Sequence, residues 1–317
     1  MSHESIYAVL IAFLLNIAIS SLMIPYLEKL NLGQYVRDDG PDTHLKKAGT
    51  PTMGGIIILL SILITSLFFA VNNKEIHVVL FTIFGFGLIG FMDDYIKVIK
   101  KRSLGLKPMQ KLIGQLFVAI VFGLLVKNYL KLDTNILLPF SGGKELDLGI
   151  LYFPFLIFGV LGTVNAVNLT DGLDGLAAGV TVIVATFFTV VSWGVQSNLL
   201  PVSAAAMGSL LGFLLFNTYP AKVFMGDTGS LALGGFVVSA AFILKMPLFI
   251  LIVGFIYVVE NISVIIQVGY YKLTKKRIFK MAPIHHHFEL SGWPETKIVT
   301  VFCIITAMMC LIGLIAM

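Results

Sequence analysis

The sequence predicts an all-α integral membrane protein of about ten transmembrane helices, with both termini outside. Three observations carry this. The 317-residue chain is 57% hydrophobic and 12% charged, whereas a soluble domain carries about a quarter charged residues. Ten apolar runs approach the roughly 20 residues that cross a bilayer as a helix. The cationic residues concentrate on alternate connections between those runs.

In chain order the runs cover 6–27, 54–71, 77–92, 112–126, 150–167, 176–195, 199–216, 231–244, 247–268 and 298–316. The first begins within "MSHESIYAVL", which has no basic region and no small-residue cleavage site, so it reads as a retained helix. The third, fourth and eighth are short, and each is expected to extend into its polar flank. The ninth carries Glu260 and Asn261 near its middle, where an acid is a functional suspect by default. The tenth holds both cysteines, Cys303 and Cys310, spaced as packing residues and not as a metal or disulfide motif. The series reads as one polytopic domain over 1–317. Between the fourth and fifth runs, 127–150 is turn-rich and alternating, as in a small external hairpin. Between the ninth and tenth, 271–297 is a cytoplasmic loop that contains three consecutive histidines.

With the N-terminus outside, Lys74, Lys127, Lys131, Lys144 and Lys245 are the external members of the 22 lysines and arginines. The rest fall inside, as the positive-inside rule requires. The acidic residues follow the same map. Asp93 and Asp94 close the third run in "GFMDDYIK", Asp171 and Asp174 lie in "NAVNLTDGLDG", and Asp227 lies in "FMGDTGS". All five sit at cytoplasmic ends.

Adjacent acids at a helix C-terminus face the negative end of its dipole. A cation should offset Asp93 and Asp94, either Lys97 or a divalent metal. Asp171, before the sixth helix, and Asp227, at the start of the eighth, also read as ordinary N-caps. Asn165, Asn168 and Asp171 recur every third residue, a polar face that is costly at the end of an apolar helix unless it lines a cavity. "GDTGS" would offer free backbone N–H groups of a helix start to a phosphate, with Asp227 as an oxygen ligand for Mg²⁺. Oxygen ligands, backbone donors and lysines in one layer point to phosphoryl chemistry, where a diphosphate must be neutralised and positioned.

Five segments, "HLKKAGTPTMGG" (44–55), "FMDDYIKVIKKRSLGLKP", "NAVNLTDGLDGLAAG", "NTYPAKVFMGDTGSLALGG" and "MAPIHHHFELSGWPETK", resemble the signatures of the phospho-N-acetylmuramoyl-pentapeptide-transferases. That family belongs to the polyprenyl-phosphate N-acetylhexosamine-1-phosphate transferases. The segments come in the family's order and span nearly the whole chain. The resemblance implies ten transmembrane helices, usually in a homodimer, in the bacterial cytoplasmic (inner) membrane, with the active-site cleft facing the cytoplasm. It implies transfer of phospho-N-acetylmuramoyl-pentapeptide from its UDP-linked donor to undecaprenyl phosphate, giving lipid I and UMP, with Mg²⁺ as cofactor and no nucleic-acid partner.

Residue by residue, the resemblance implies a Mg²⁺ ligand at Asp227 and an essential pair at Asp93 and Asp94; if the lipid phosphate attacks directly, Asp94 joins Asp227 at the metal. It implies a donor pocket of Lys97, Asn168, Asp171, Gly172, Asp174, Asn217, Phe224 and Gly226, joined by Lys47 and Thr52, with Phe224 stacking on the uracil. Two mechanisms are compatible with these residues. An aspartate could attack the donor and form a phospho-enzyme, or the lipid phosphate could attack directly. A phosphate monoester has a second pKa near 6, so the acceptor is largely dianionic at neutral pH. That favours direct attack, with Asp93 as base or acceptor-positioning group.

Consecutive residues on a helix point about 100° apart, so His285, His286 and His287 cannot all converge on one ion, and Mg²⁺ prefers oxygen. His286 is expected in catalysis and His285 and His287 at the donor, unless one of them orients the loop. A sibling undecaprenyl-phosphate GlcNAc-1-phosphate transferase would share the aspartates but not this histidine segment. The two later aspartates of the CDP-alcohol phosphotransferase motif are missing. An ion-coupled transporter would hold its acids near the midplane on discontinuous helices, not at one surface.

Overall fold

A computed structural model describes residues 3–29, 49–70, 73–100 and 104–317. The expected donor-site residue Lys47 lies outside the described residues. Helical segments follow all ten apolar runs. They are α1 (His3–Lys29), α2 (Gly55–Leu67), α3 (Lys74–Ile99), α4 (Pro108–Leu124, prolonged by a π turn over Leu125–Tyr129), α5 (Tyr152–Thr170), α6 (Leu176–Gly194), α7 (Leu200–Asn217) and α8 (Gly226–Ile243). The ninth run holds α9 (Ile250–Val253) and α10 (Phe255–Thr274). A short α11 (Ile284–Glu289) precedes α12 (Glu295–Ile315). Among the described residues, eight helices are long and apolar enough to cross a bilayer, or nine if the two halves of the bent α9–α10 pair count as one span.

Three elements depart from the sequence reading. The third run was expected to end at the aspartate pair, but α3 continues to Ile99, so Asp93 and Asp94 lie inside it. The second is a 13-residue helix, about 20 Å long at 1.5 Å per residue, too short to span alone. The ninth breaks at Gly254, with an 86° bend between its halves. A Cβ at Gly254 would sit 2.7 Å from the Ile250 carbonyl oxygen, so the break needs a residue without a side chain.

Helix α8 is the axis of the bundle. Of its apolar span 89% is buried in protein, against 22% for α1, which faces outward along most of its length. Its glycines, alanines and serines explain that position. Lipid tails are as apolar as leucine, so membrane helices associate through close backbone approach and polar contacts. Helix α3 packs so closely that a Cβ at Gly90 would sit 2.1 Å from the Asp227 carbonyl oxygen. A buried Asn16 on α1 donates to Ser209 on α7 at 3.1 Å, a contact of the same kind.

The bundle has two distinct ends. At one, β1 (Asn135–Leu137) and β2 (Glu145–Asp147) form an antiparallel hairpin. Lys245, just past α8, reaches Asp133 at 2.7 Å, and Phe140 N–H donates to the Ala316 carbonyl at 2.8 Å. The α6–α7 connection meets the start of α3 there, through Ser197 and Glu75. Helix α1 runs parallel to α7, with Gly208 on Val9 and Gly212 on Phe13. Both ends of the described chain therefore lie at the hairpin end. The aspartates gather at the other.

Candidate active site

The site is built where the last turns of α3 meet the first turn of α8. Asp94, buried inside α3, accepts from Asp227 N–H at 3.1 Å and from Thr228 N–H at 2.9 Å and hydroxyl at 2.7 Å. It caps α8 from a neighbouring helix, satisfying donors that a helix start leaves open. Gly226 permits the approach. Its φ is +67°, and a Cβ there would sit 2.6 Å from Asp94 Oδ2. The expectation of free N–H groups for a phosphate at "GDTGS" is therefore corrected, because the Asp94 carboxylate already occupies those of Asp227 and Thr228.

Asp227 is consequently released from capping. Its Oδ2 accepts from Lys97 Nζ at 3.1 Å and Lys111 Nζ at 2.9 Å, and its Oδ1 from Asn168 Nδ2 at 2.9 Å. Asn168 also donates to Ser230 at 2.8 Å and accepts from Lys111 at 3.3 Å. Its neighbour Asn165 instead pairs with Gln115 of α4. Asp93, buried on the same face of α3, accepts from Leu106 N–H at 2.7 Å and meets Lys97 Nζ at 2.6 Å. Lys97 thus lies within 4 Å of all three carboxylates and offsets the adjacent acids.

Oxygens of Asp93, Asp94 and Asp227 lie within 4.8 Å of one another. Three carboxylates face two ammonium groups, leaving a formal negative charge. An all-oxygen donor set of this kind fits a hard divalent cation, with the Lys97 ammonium now standing among the same oxygens.

Lys111 was missed as a site residue and counted only toward topology. It occupies the first turn of α4, where a positive-inside lysine also belongs, so no feature of the sequence separated the two roles. Asp171 was read as a possible N-cap of α6. The structure places it at the C-terminal cap of α5, and α6 is entered through Gly175 at φ +77°. Burial, and then the charges of Asp227, Asp94 and Asp174, push the Asp171 carboxyl well above the usual carboxylate range.

The family model for Glycosyl transferase family 4 matches residues 76–245, the stretch that carries all five of these aspartates. The signature described as phospho-N-acetylmuramoyl-pentapeptide-transferase signature 1 matches residues 47–59. Proteins named phospho-N-acetylmuramoyl-pentapeptide-transferase are similar over nearly the full length. The one from Acetivibrio thermocellus is 51% identical over 315 residues, 98% of this chain and 95% of its own. That from Clostridium kluyveri is 50% identical over 317 residues, 99% and 100%. That from Clostridium botulinum is 53% identical over 312 residues, 98% and 95%.

The chain belongs to the phospho-N-acetylmuramoyl-pentapeptide-transferase family.

Around the carboxylate cluster of this transferase stands a frame of loops. Asp174 accepts from Ala221 N–H at 2.9 Å, while its own N–H donates to Glu295 at the start of α12. Asn217 donates to the Val223 carbonyl at 2.8 Å. Phe224 N–H donates to the Pro51 carbonyl at 2.9 Å, and its carbonyl accepts from Gly54 N–H at 2.8 Å. Thr52 is buried beside Gly226, which joins this frame to the cluster.

The histidines of the transferase lie on α11 and diverge as a helix demands. His285 is fully buried, with Nδ1 3.0 Å from Glu260 Oε1. The His286 ring is tilted by 58° against it with centroids 4.1 Å apart, and its Nδ1 is 3.1 Å from Glu289. His287 accepts from Lys280 N–H at 3.2 Å, with its ring against Phe279 and Phe288. Glu260, whose partner the sequence could not name, is the partner of His285. Among the described residues, none of the three histidines belongs to the metal-capable group.

Proposed function

We propose that this membrane enzyme transfers phospho-N-acetylmuramoyl-pentapeptide from its UDP-linked donor to undecaprenyl phosphate, giving lipid I and UMP, by direct attack of the lipid phosphate at a Mg²⁺ site facing the cytoplasm of a bacterial inner membrane. The names of the relatives supply the transferred group. The observation that carries the chemistry is the cluster of Asp93, Asp94 and Asp227 with Lys97 and Lys111 at one end of the bundle.

Asp227 and Asp94 would hold the Mg²⁺, which supplies charge neutralisation at the donor diphosphate. Asp94 keeps about one lone-pair site for this beyond the three that accept from α8. Lys111 and Asn168 hold the Asp227 carboxylate from both of its oxygens. Lys97 and Lys111 offer ammonium charge to the diphosphate oxygens and to the departing UMP. Asp93 has one oxygen on Leu106 N–H and the other on Lys97. A carboxylate held so is suited to orient the acceptor or take its proton. Lys47, Thr52, Asp171, Gly172, Asp174, Asn217, Phe224 and Gly226 make the donor pocket in this reading, with Phe224 under the uracil. His286 acts on the donor, flanked by His285 and His287. The working unit is a homodimer.

The test uses purified protein in detergent with UDP-N-acetylmuramoyl-pentapeptide, undecaprenyl phosphate and Mg²⁺. UMP should be released with this donor and not with UDP-N-acetylglucosamine; the reverse would overturn the substrate. Asp93→Asn should slow turnover. An acid-labile aspartyl phosphate isolated from the wild type on Asp93 would sink direct attack.

A further inference from the structure

A fully buried carboxylate and imidazole sit away from the metal-capable cluster, and the transfer reaction as described makes no use of the acid. Glu260 of α10 and His285 of α11 are both 0% exposed, joined by the 3.0 Å contact between Oε1 and Nδ1. Their two remaining polar atoms, Glu260 Oε2 and His285 Nε2, are buried and have no hydrogen-bond partner among the described residues. Buried polar atoms nearly always find partners, so an unpartnered pair calls for an explanation. Replacing such a pair by apolar side chains is often neutral or stabilising, so packing alone does not supply one.

The geometry does. Nδ1 is committed to Glu260, which fixes the ring plane and leaves Nε2 as the nitrogen that faces outward from the pair. That nitrogen lies against Gly172, where a Cβ would sit 2.1 Å from it. Gly172 is the second residue of the turn that joins Asp171, beside the carboxylate cluster, to α6. The same turn is held from two other sides, by Glu295 on Asp174 N–H and by Asp174 on Ala221 N–H. At its Gly172 face the nearest group is the imidazole. A hydrogen-bonded partner behind a histidine sets which nitrogen points forward and in what direction.

We propose that Glu260 is a positioning residue for the transfer reaction. It holds the His285 ring edge-on against Gly172 and thereby sets the turn Asp171–Asp174 in its donor-binding form. This rests on the reading of that turn as part of the donor pocket. Glu260 itself touches no reacting atom, so its loss should weaken donor binding more than it slows the chemical step.

The experiment measures kcat and donor KM, with Mg²⁺ and acceptor saturating, for wild type, Glu260→Gln, Glu260→Met, His285→Gln and the Glu260→Met/His285→Gln double variant. Gln keeps an acceptor oxygen and should stay close to wild type. Met fills the volume without an acceptor, and should raise donor KM about 10-fold while changing kcat much less, as a displaced binding turn would. The double variant should be no worse than the weaker single one, because the two residues act as one unit. Glu260→Leu, similar in volume and also without an acceptor, should reproduce the KM effect and serves if Glu260→Met does not fold. Unchanged KM in Glu260→Met with falling kcat and falling yield, or additive losses in the double variant, would overturn the proposal. A wild type that releases no UMP from UDP-N-acetylmuramoyl-pentapeptide would instead remove the functional reading beneath it.

Discussion

Lys97 holds a place that a metal ion could take, and that makes it the most informative single perturbation. Lys97→Met removes an ammonium lying 2.6 Å from Asp93, 3.1 Å from Asp227 and 3.8 Å from Asp94, and leaves Lys111 as the one cation on Asp227 among the described residues. Taking one partner from a buried ion pair costs about 3–5 kcal/mol. The Lys97 side chain is 30% exposed, so solvent screening favours the lower end, about 3 kcal/mol. With an unfolding entropy of about 2.1 cal/mol/K per residue, that is about 5 °C in the apparent unfolding midpoint of a chain this long. The assay is thermal unfolding in detergent, with EDTA and then with millimolar Mg²⁺. In EDTA the variant should unfold about 5 °C below wild type. Mg²⁺ should restore most of that difference, because a divalent ion can replace the lost charge among the same oxygens, while wild type responds less. Equal midpoints in EDTA, or the same Mg²⁺ response in both proteins, would refute the idea that Lys97 balances the three carboxylates.

Two further outcomes follow from the same geometry. Gly226→Ala places a methyl 2.6 Å from Asp94 Oδ2 at a φ of +67°; it should displace the carboxylate that caps α8 and cut kcat about 100-fold, and wild-type turnover in the variant would show that this contact is dispensable. Asp171 has a folded-state pKa raised by burial and by three neighbouring aspartates, so between the unfolded and folded values the folded protein keeps a proton that the unfolded chain has lost. That costs stability increasingly as pH rises through the window. Asp171→Asn removes this cost, so the variant's gain in unfolding midpoint over wild type should grow as pH rises above the ordinary carboxylate range; a gain that is flat or shrinks with pH would contradict the assigned environment.

Much of the site was legible because membrane sequences confine their polar residues. Asp93, Asp94, Asp171, Asp174 and Asp227 stood out against apolar runs, and the charge map put them on one side. What those residues do to one another was not legible. Asp94 reads in sequence as a metal or catalytic acid, and its two oxygens cap a helix that begins 132 positions later. Lys111 reads as a topological charge and holds Asp227. Glu260 reads as an isolated acid in the bilayer and is paired with a histidine 25 residues on. In each case the deciding partner comes from another helix, so local spacing carries no trace of it.

The sequence by itself determined the class of the protein, the ten apolar segments and the end of the bundle at which charge collects, because burial in lipid is decided by composition over about 20 residues at a time. Only the tertiary structure decided how far α3 runs, where the ninth segment breaks, which carboxylate caps α8 and which remains to meet the lysines. Those outcomes depend on close approach between backbones at Gly90 and Gly254 and of a side chain to the backbone at Gly226, and on pairings between side chains more than a hundred residues apart. Such contacts exist only once the helices have packed.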